Sequence, residues 1–350
     1  MNLKEKTLFI GLGNCGCKIT NLFADMGYTC IFANGSEQDL KVLGNQKGIY
    51  KLEGYDGFGG HRERAMQCLC ENVAFTDALE DIPQSIIFVV YASGGSTGSG
   101  LSSVVAQYII DSYDGAKTIC MCPVLPNVGE DTNKLWNAYQ VGAELSEMCE
   151  IGATFFIDNN SCDNLKQINR TFAKVLNAFL TNDAWSENNN FDESERLELL
   201  SESGAMVISQ SERQYKIVDD LLHNTVFAPI ERDNVVGKFG IIHGGKRSIT
   251  KDSLIAEVGK PFNIFEGYGK GATLVAMSGL TFPFGRIEQF GKLAKSAQDE
   301  RQRNLNARKQ HVLPKLDLSM TMTKPTVQEK PKTRVSGRDA LMQMRKRMSS

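Results

Sequence analysis

Apolar runs of strand length recur through the first half of the chain: Leu8-Phe9-Ile10, Cys30-Ile31-Phe32-Ala33, and residues 86–91, 118–122 and 153–157. They are nearly continuous rather than alternating, the pattern of strands buried on both faces of a parallel sheet. Helix-compatible stretches lie between them, 101–112 and 135–148 among them. Strands alternating with helices predict an α/β layered domain of about 160 residues. From about 163 to 181, Leu165, Ile168, Phe172, Val175, Leu176 and Phe179 fall at helical spacing and predict a long central helix. A polar stretch (186–198) follows. Runs at 205–209, 235–242 and 272–277 then predict a second, smaller α/β unit. From Gly285 to about Gln310 the pattern is helical and charged. Residues 314–335 form a Pro/Thr/Lys-rich linker expected to be disordered, and 336–350 suit a short amphipathic helix rich in Met and Arg. No internal repeat is present.

Composition narrows the class. No apolar run approaches the roughly 20 residues that span a bilayer, and no long apolar stretch of the signal-peptide kind follows the first residues. Nine cysteines in 350 residues is an odd number for a disulfide framework, and a chain this long can bury a core without staples. They occur in pairs such as Cys15/Cys17, Cys68/Cys70 and Cys120/Cys122, which in a strand would put both thiols on one face. Without a nearby His or second pair they read as buried thiols, and no residue is assigned to a metal. A cytoplasmic location without membrane attachment is expected. The 39 basic and 41 acidic residues hide a split: residues 291–350 carry +10 and residues 1–290 carry −12. An acidic body with a basic tail results.

Two glycine loops carry the chemistry. The first strand runs into Gly11-Leu12-Gly13-Asn14-Cys15-Gly16, a G-x-G-x-x-G between a strand and a helix. Its glycines allow a tight turn, and a helix start offers free N–H groups and the positive dipole end to a phosphate. Taken alone it is also a plain strand-to-helix turn, or the start of an NAD(P)-binding oxidoreductase domain. The second strand nevertheless ends in Ala33-Asn34-Gly35-Ser36, without the ribose-binding acid of that fold. After the third long run comes Ala92-Ser93-Gly94-Gly95-Ser96-Thr97-Gly98-Ser99-Gly100. Here successive N–H groups and hydroxyls can wrap one anion. No Lys follows the last glycine, so it is not a Walker loop. Two such loops at parallel strand ends imply a polyphosphate shared between two helix starts.

Residues 94–100 are one substitution from the GGGTGSG signature of the tubulin/FtsZ superfamily, and over residues 7–310 the chain resembles its plasmid and phage TubZ-like members. The resemblance implies GTP/GDP and Mg²⁺ as ligands. Gly11, Gly13, Asn14 and Gly16 match the first phosphate loop, and Gly94, Gly95, Ser96, Thr97, Gly98 and Ser99 the second. Asn34 resembles the polar residue near the γ-phosphate and metal. Gly59 and Gly60, within Gly57-Phe58-Gly59-Gly60-His61-Arg62, resemble the γ-phosphate-sensing loop, whose Arg62 also suits an anion. His61 alone reads as an exposed loop residue. Glu130 and Lys134 have the spacing of the family's ribose-binding pair, although an i,i+4 Glu–Lys pair is equally a helix-surface feature. Asn159 and Asn169 resemble the two guanine-reading amides, with Leu165 where a stacking aromatic usually stands. Asn190, Asp192 and Glu195 resemble the loop that completes the neighbouring subunit's site. Without the family that segment is a solvated loop or helix start.

The expected organisation is therefore a parallel-sheet GTP-binding domain (1–163), central helix (164–182), catalytic loop segment (183–200), activation domain (201–284), C-terminal helix (285–312), and linker with flexible basic tail (313–350). The implied function is a GTPase that assembles head-to-tail into a homopolymer, with GTP hydrolysis coupled to assembly. Arg338, Arg345, Lys346 and Arg347 would engage a DNA-bound adaptor protein for plasmid or phage DNA segregation. The tail could instead be solubilising, or touch nucleic acid directly but weakly. A phage spindle-type filament and an FtsZ-like division protein remain the alternative cytoskeletal roles.

Overall fold

A computed structural model describes residues 3–53, 56–182, 191–231, 234–244 and 251–310. The first half alternates strand and helix: β1 (Thr7–Leu12), α1 (Gly13–Asp25), β2 (Thr29–Asn34), α2 (Glu37–Leu40), β3 (Ile49–Lys51), α3 (Arg62–Cys68), α4 (Val73–Glu80), β4 (Ile86–Ala92), α5 (Ser96–Ser112), β5 (Thr118–Leu125), α6 (Thr132–Glu147), β6 (Ala153–Thr154) and β7 (Ile157–Asp158). Central helix α7 (Leu165–Thr181) follows, then α8 (Glu193–Ser201), β8 (Gly204–Ser211), α9 (Ile217–Leu222), β9 (Lys238–Gly244), α10 (Lys251–Val258), β10 (Asn263–Gly269), β11 (Thr273–Leu280) and α11 (Phe284–Gln310). The chain divides into a body ending at Arg303 and a second unit from Asn304 onward, of which residues 304–310 are described, as helix. The linker and tail, with Arg338, Arg345, Lys346 and Arg347, lie outside the described residues.

Eleven strands form one sheet in the order β10-β9-β11-β8-β6-β5-β4-β1-β2-β3, with β7 also on β5. All pairings from β3 to β8 are parallel, and β11 runs antiparallel between β8 and β9. The continuous apolar runs follow from this. Helices cover both faces, and every residue of β1 is buried. The second set of strands joins the first through the register Ala153↔Gly204 and Thr154↔Ala205.

Aromatic rings tie the layers together. Phe9 stacks on Phe23 of α1 at 3.8 Å and on Phe88 of β4 at 4.9 Å. Phe88, Phe155, Phe172 of α7 and Phe227 continue the line at about 6 Å spacing. Helix α7 turns Ile168, Phe172, Val175, Leu176 and Phe179 into this core. Its start is capped by Asn164, whose side chain accepts from the Gln167 N–H.

Two local expectations change. Cys15 and Cys17 lie on helix α1, not in the turn before it, because the helix starts as early as Gly13. Helix α5 likewise starts at Ser96 rather than Leu101, so most of the second glycine segment is the helix's first turn. Burial pushes the Cys15 thiol up to about 11 and that of Cys17 up to about 12.

Candidate functional site

The carboxyl ends of β1, β2, β4 and β5 carry the loops that the sequence singles out. Helices α1 and α5 begin there without a side-chain cap and without an acidic residue in the first turn. Their leading N–H groups are therefore left without side-chain acceptors. The two starts adjoin. A Cβ on Gly13, whose φ is +69°, would lie 3.2 Å from both the Gly98 N and the Thr97 Cβ. Gly16 has a different reason to lack a side chain, since a Cβ there would sit 2.1 Å from the Val90 carbonyl oxygen. It seats α1 directly on β4. Bare helix starts side by side, approached closely because Gly13 has no side chain, fit an anion with several charges.

Around them the other candidates fall into two groups. Asn34 ends β2, buried, with its amide on Asp39 Oδ2 at 3.2 Å. The next residue, Gly35, lies under the ring of Phe58, which pins the loop containing Gly59 and Gly60. Glu130 and Lys134 form an ion pair at 2.9 Å, and this bond raises the Lys134 pKa. Glu130 also accepts from the Asn127 N–H, and its charge helps raise the Cys15 pKa, so it faces the start of α1. Asn159 follows β7 with a side chain that makes no hydrogen bond to a described residue. The neighbouring Asn160 is fully engaged, donating to the Pro126 carbonyl and Asp158 and accepting from the Val128 N–H. Asn169 is half-buried, one turn into α7.

Two residues behave differently from the expectation. Arg62 is no anion ligand. It is buried, both terminal nitrogens reach Glu144 at 2.6 Å, and one donates to the Ser99 carbonyl at 2.9 Å. A charge buried this deeply needs its partner, so the guanidinium serves α5 and α6 instead of the loop. Ser99 is fully buried, its N–H bonded to the Gly95 carbonyl and its hydroxyl to Ser96, and it supports the helix start from inside.

Asp192 and Glu195 stand at the opposite end of the sheet. Asp192 caps α8, accepting from the Ser194 and Glu195 N–H groups, while Glu195 returns a bond to the Asp192 N–H at 3.0 Å. The adjoining Glu193 pairs with Lys6, just before β1, at 2.9 Å. The other end of α8 meets the starts of β5 and β9 through Ser201–Thr118 and Glu198–Lys238. Asn190 lies outside the described residues.

Residues 6–167 match the family model described as Tubulin/FtsZ family, GTPase domain. The chain carries a tubulin/FtsZ GTPase domain. The tubulin-like protein TubZ of Clostridium botulinum C phage is 24% identical over 289 residues, covering 79% of this chain and 80% of that protein. The solved structure of Clostridium botulinum phage c-st TubZ with its C-terminal tail truncated is similar in fold. Its TM-score is 0.75 at 22% identity, over 85% of this chain and all of that one. A GTPγS-form protofilament of Bacillus thuringiensis serovar israelensis TubZ gives a TM-score of 0.69 at 17% identity, over 87% of this chain and 94% of that one.

Within this GTPase domain the sequence reading overlooked Asn137. Its buried amide donates to the Gly94 carbonyl at 3.2 Å and the Gly60 carbonyl at 3.4 Å. A signal was available. Leu135, Ala138, Val141 and Leu145 mark the inner stripe of α6, and Asn137 and Glu144 flank it seven residues apart.

Proposed function

We propose that the chain is a GTP-driven filament protein whose hydrolysis is completed between neighbouring copies. One observation carries the reading: the bare helix starts and the Asp192/Glu195 pair occupy opposite ends of the sheet. Glu193 pairs with Lys6 before β1, while Gly13 follows β1's last residue. The intervening strand is roughly 17 Å long. The carboxylates can therefore serve only the site of another copy. A head-to-tail contact of this kind is heterologous and, unless its rotation closes, repeats into an open filament. The protofilament form of the Bacillus relative supports the same arrangement.

In this reading the starts of α1 and α5 hold the phosphates, with Gly59 and Gly60 near the third phosphate and Asn34 beside it. Glu130 and Lys134 hold the ribose, while Asn159 and Asn169 present the donor and acceptor that a guanine edge requires. Asp192, Glu195 and Asn190 of the adjoining copy orient the attacking water. Burial raises the Glu195 pKa, which makes it a stronger proton acceptor. Mg²⁺, when bound, neutralises charge developing on the phosphates.

Replacing Glu195 by Ala and following phosphate release and sedimentation tests the split site. The variant is expected to pellet with GTP and to release little phosphate. Hydrolysis at the parental rate inside sedimented polymer would refute the role of Glu195. Equal pelleting with ATP would remove the guanine assignment.

We extend the reading to cargo on the strength of the charge split. A −12 body suits a cytoplasmic polymer, and the +10 terminal region suits capture of an adaptor bound to plasmid or phage DNA. Truncation after Gln310 should leave assembly intact and abolish co-sedimentation with such an adaptor. Direct DNA capture by the tail would instead weaken steeply as salt rises.

A further inference from the structure

Helix α6 links the two loops through a pair of contacts of unequal strength. Seven residues apart on one face, Asn137 and Glu144 each connect the segment 57–62 to the start of α5. The Glu144 contact is rigid: a bidentate pair with buried Arg62, reinforced by Ser103 Oγ at 2.6 Å and by the Arg62 bond to the Ser99 carbonyl. The Asn137 contact is two neutral hydrogen bonds, at 3.2 and 3.4 Å, to the carbonyls of Gly94 and Gly60. Charge-assisted bidentate bonds are roughly twice as strong as neutral ones. The segment is thus fixed at Arg62 and held more weakly at Gly60.

The stretch between has little side chain of its own to hold it. Gly57, Gly59 and Gly60 all have left-handed φ values, and a Cβ on Gly57 or Gly59 would meet nothing within 4 Å. Phe58, buried against Gly35, is the anchor on the other side. The N–H groups of Gly59 and Gly60 make no hydrogen bond to a described residue. By holding two carbonyls against α6, the Asn137 amide keeps their oxygens from turning toward an anion and fixes where these N–H groups lie relative to the α5 start.

We propose that Asn137 is the positioning residue that sets how strongly the site distinguishes a nucleoside triphosphate from a diphosphate. The inference rests on the reading that these loops hold the phosphates of a nucleotide. A diphosphate is served by the starts of α1 and α5; Asn137 meets these only at the Gly94 carbonyl, two residues ahead of α5, while α5 itself is also held through Ser99 and Ser103 by Arg62 and Glu144. Only a third phosphate needs the 57–60 loop in register with them.

The test compares dissociation constants for GTPγS and GDP in the full chain and in Asn137→Leu, which keeps the branched shape and removes both donors. GTPγS affinity should fall about tenfold, as expected for losing one or two buried neutral hydrogen bonds. GDP affinity should change by less than about twofold, within the scatter of a contact not made. Amide exchange at Gly59 and Gly60 should speed up while that of α5 stays unchanged. Should the Leu variant not fold, Asn137→Ala removes both donors without added bulk and should show the same selective loss for GTPγS. An equal loss for both nucleotides, or no loss, overturns the proposal and leaves the nucleotide reading standing. A parental chain that binds neither nucleotide defeats both.

Discussion

Helices α1 and α5 at one end of the sheet and α8 at the other present the same chemical object in opposite conditions. Each begins with backbone N–H groups that no preceding turn can satisfy. In α8 the demand is met twice over, by Asp192 on two N–H groups and by the return bond from Glu195. In α1 and α5 no side chain answers it. A helix start left bare beside another bare start has its acceptor elsewhere, and a polyphosphate supplies several at once. A capped start is complete within its own chain, so its carboxylates can be offered to something outside without destabilising the helix. The chain thus keeps its demand for charge at one end of the sheet and its supply at the other, and the proposed head-to-tail contact would join them.

The largest expected effect comes from closing the bare end. A Val at Gly16 would drive its Cβ to 2.1 Å from the Val90 carbonyl oxygen, a backbone atom that cannot step aside. Gly16→Val should cost at least about 3 kcal/mol in chemical unfolding, the upper range of overpacking. Little change would mean that α1 does not sit on β4 as described. Gly129→Ala is the matched control. Its Cβ would approach only Asn127 Oδ1, at 3.4 Å, and stability should hold within about 0.5 kcal/mol.

The second effect falls on function alone. Asp192→Asn keeps an oxygen to cap α8 and removes the charge. Asn and Asp cap equally well, so unfolding free energy should shift by no more than about 0.5 kcal/mol. GTP turnover in sedimented polymer should fall at least about 100-fold if the carboxylate helps to position or deprotonate water. A stable variant with undiminished turnover would leave the capped end as structure only.

How much of this was legible beforehand depended on burial. Strands buried on both faces announce themselves as apolar runs, so β1, β2, β4 and β5 stand out in the text. Strand β10 does not: Asn263–Gly269 is half exposed at the sheet's edge and interrupts its apolar residues with Glu266 and two glycines. Three-residue β3 is too short to carry a period. Within the site, glycines are readable because backbone contact with an anion excludes side chains. The partner of a buried charge is not readable. Arg62 follows three glycines and suits an anion by sequence, yet Glu144, 82 residues away, takes it. The place of Asn137 beside the inner stripe of α6 is readable, but its acceptors, two backbone carbonyls from distant loops, are not.

The smallest expected effect concerns the β9–β10 side of the sheet, where the carboxyl end of a strand carries a buried ionisable cluster instead of bare backbone. His243, near the end of β9, is buried under Tyr268, with Nε2 3.5 Å from Glu266, which Lys251 of α10 also holds at 2.6 Å. Burial lowers the His243 pKa, and Glu266 only partly offsets it. With the folded value below the unfolded one, the unfolded chain binds more protons in the window between them, so stability rises with pH there. The contribution is complete above the ordinary imidazole value of about 6.5 and is lost as pH falls through the folded value. Thermal unfolding followed from pH 7.5 to 5.5 should therefore show a decline that His243→Gln flattens, while nucleotide affinity at pH 7.5 stays unchanged because no residue of the candidate phosphate site contacts this cluster. A parallel loss of nucleotide affinity would mean that the two carboxyl-end solutions are coupled rather than independent.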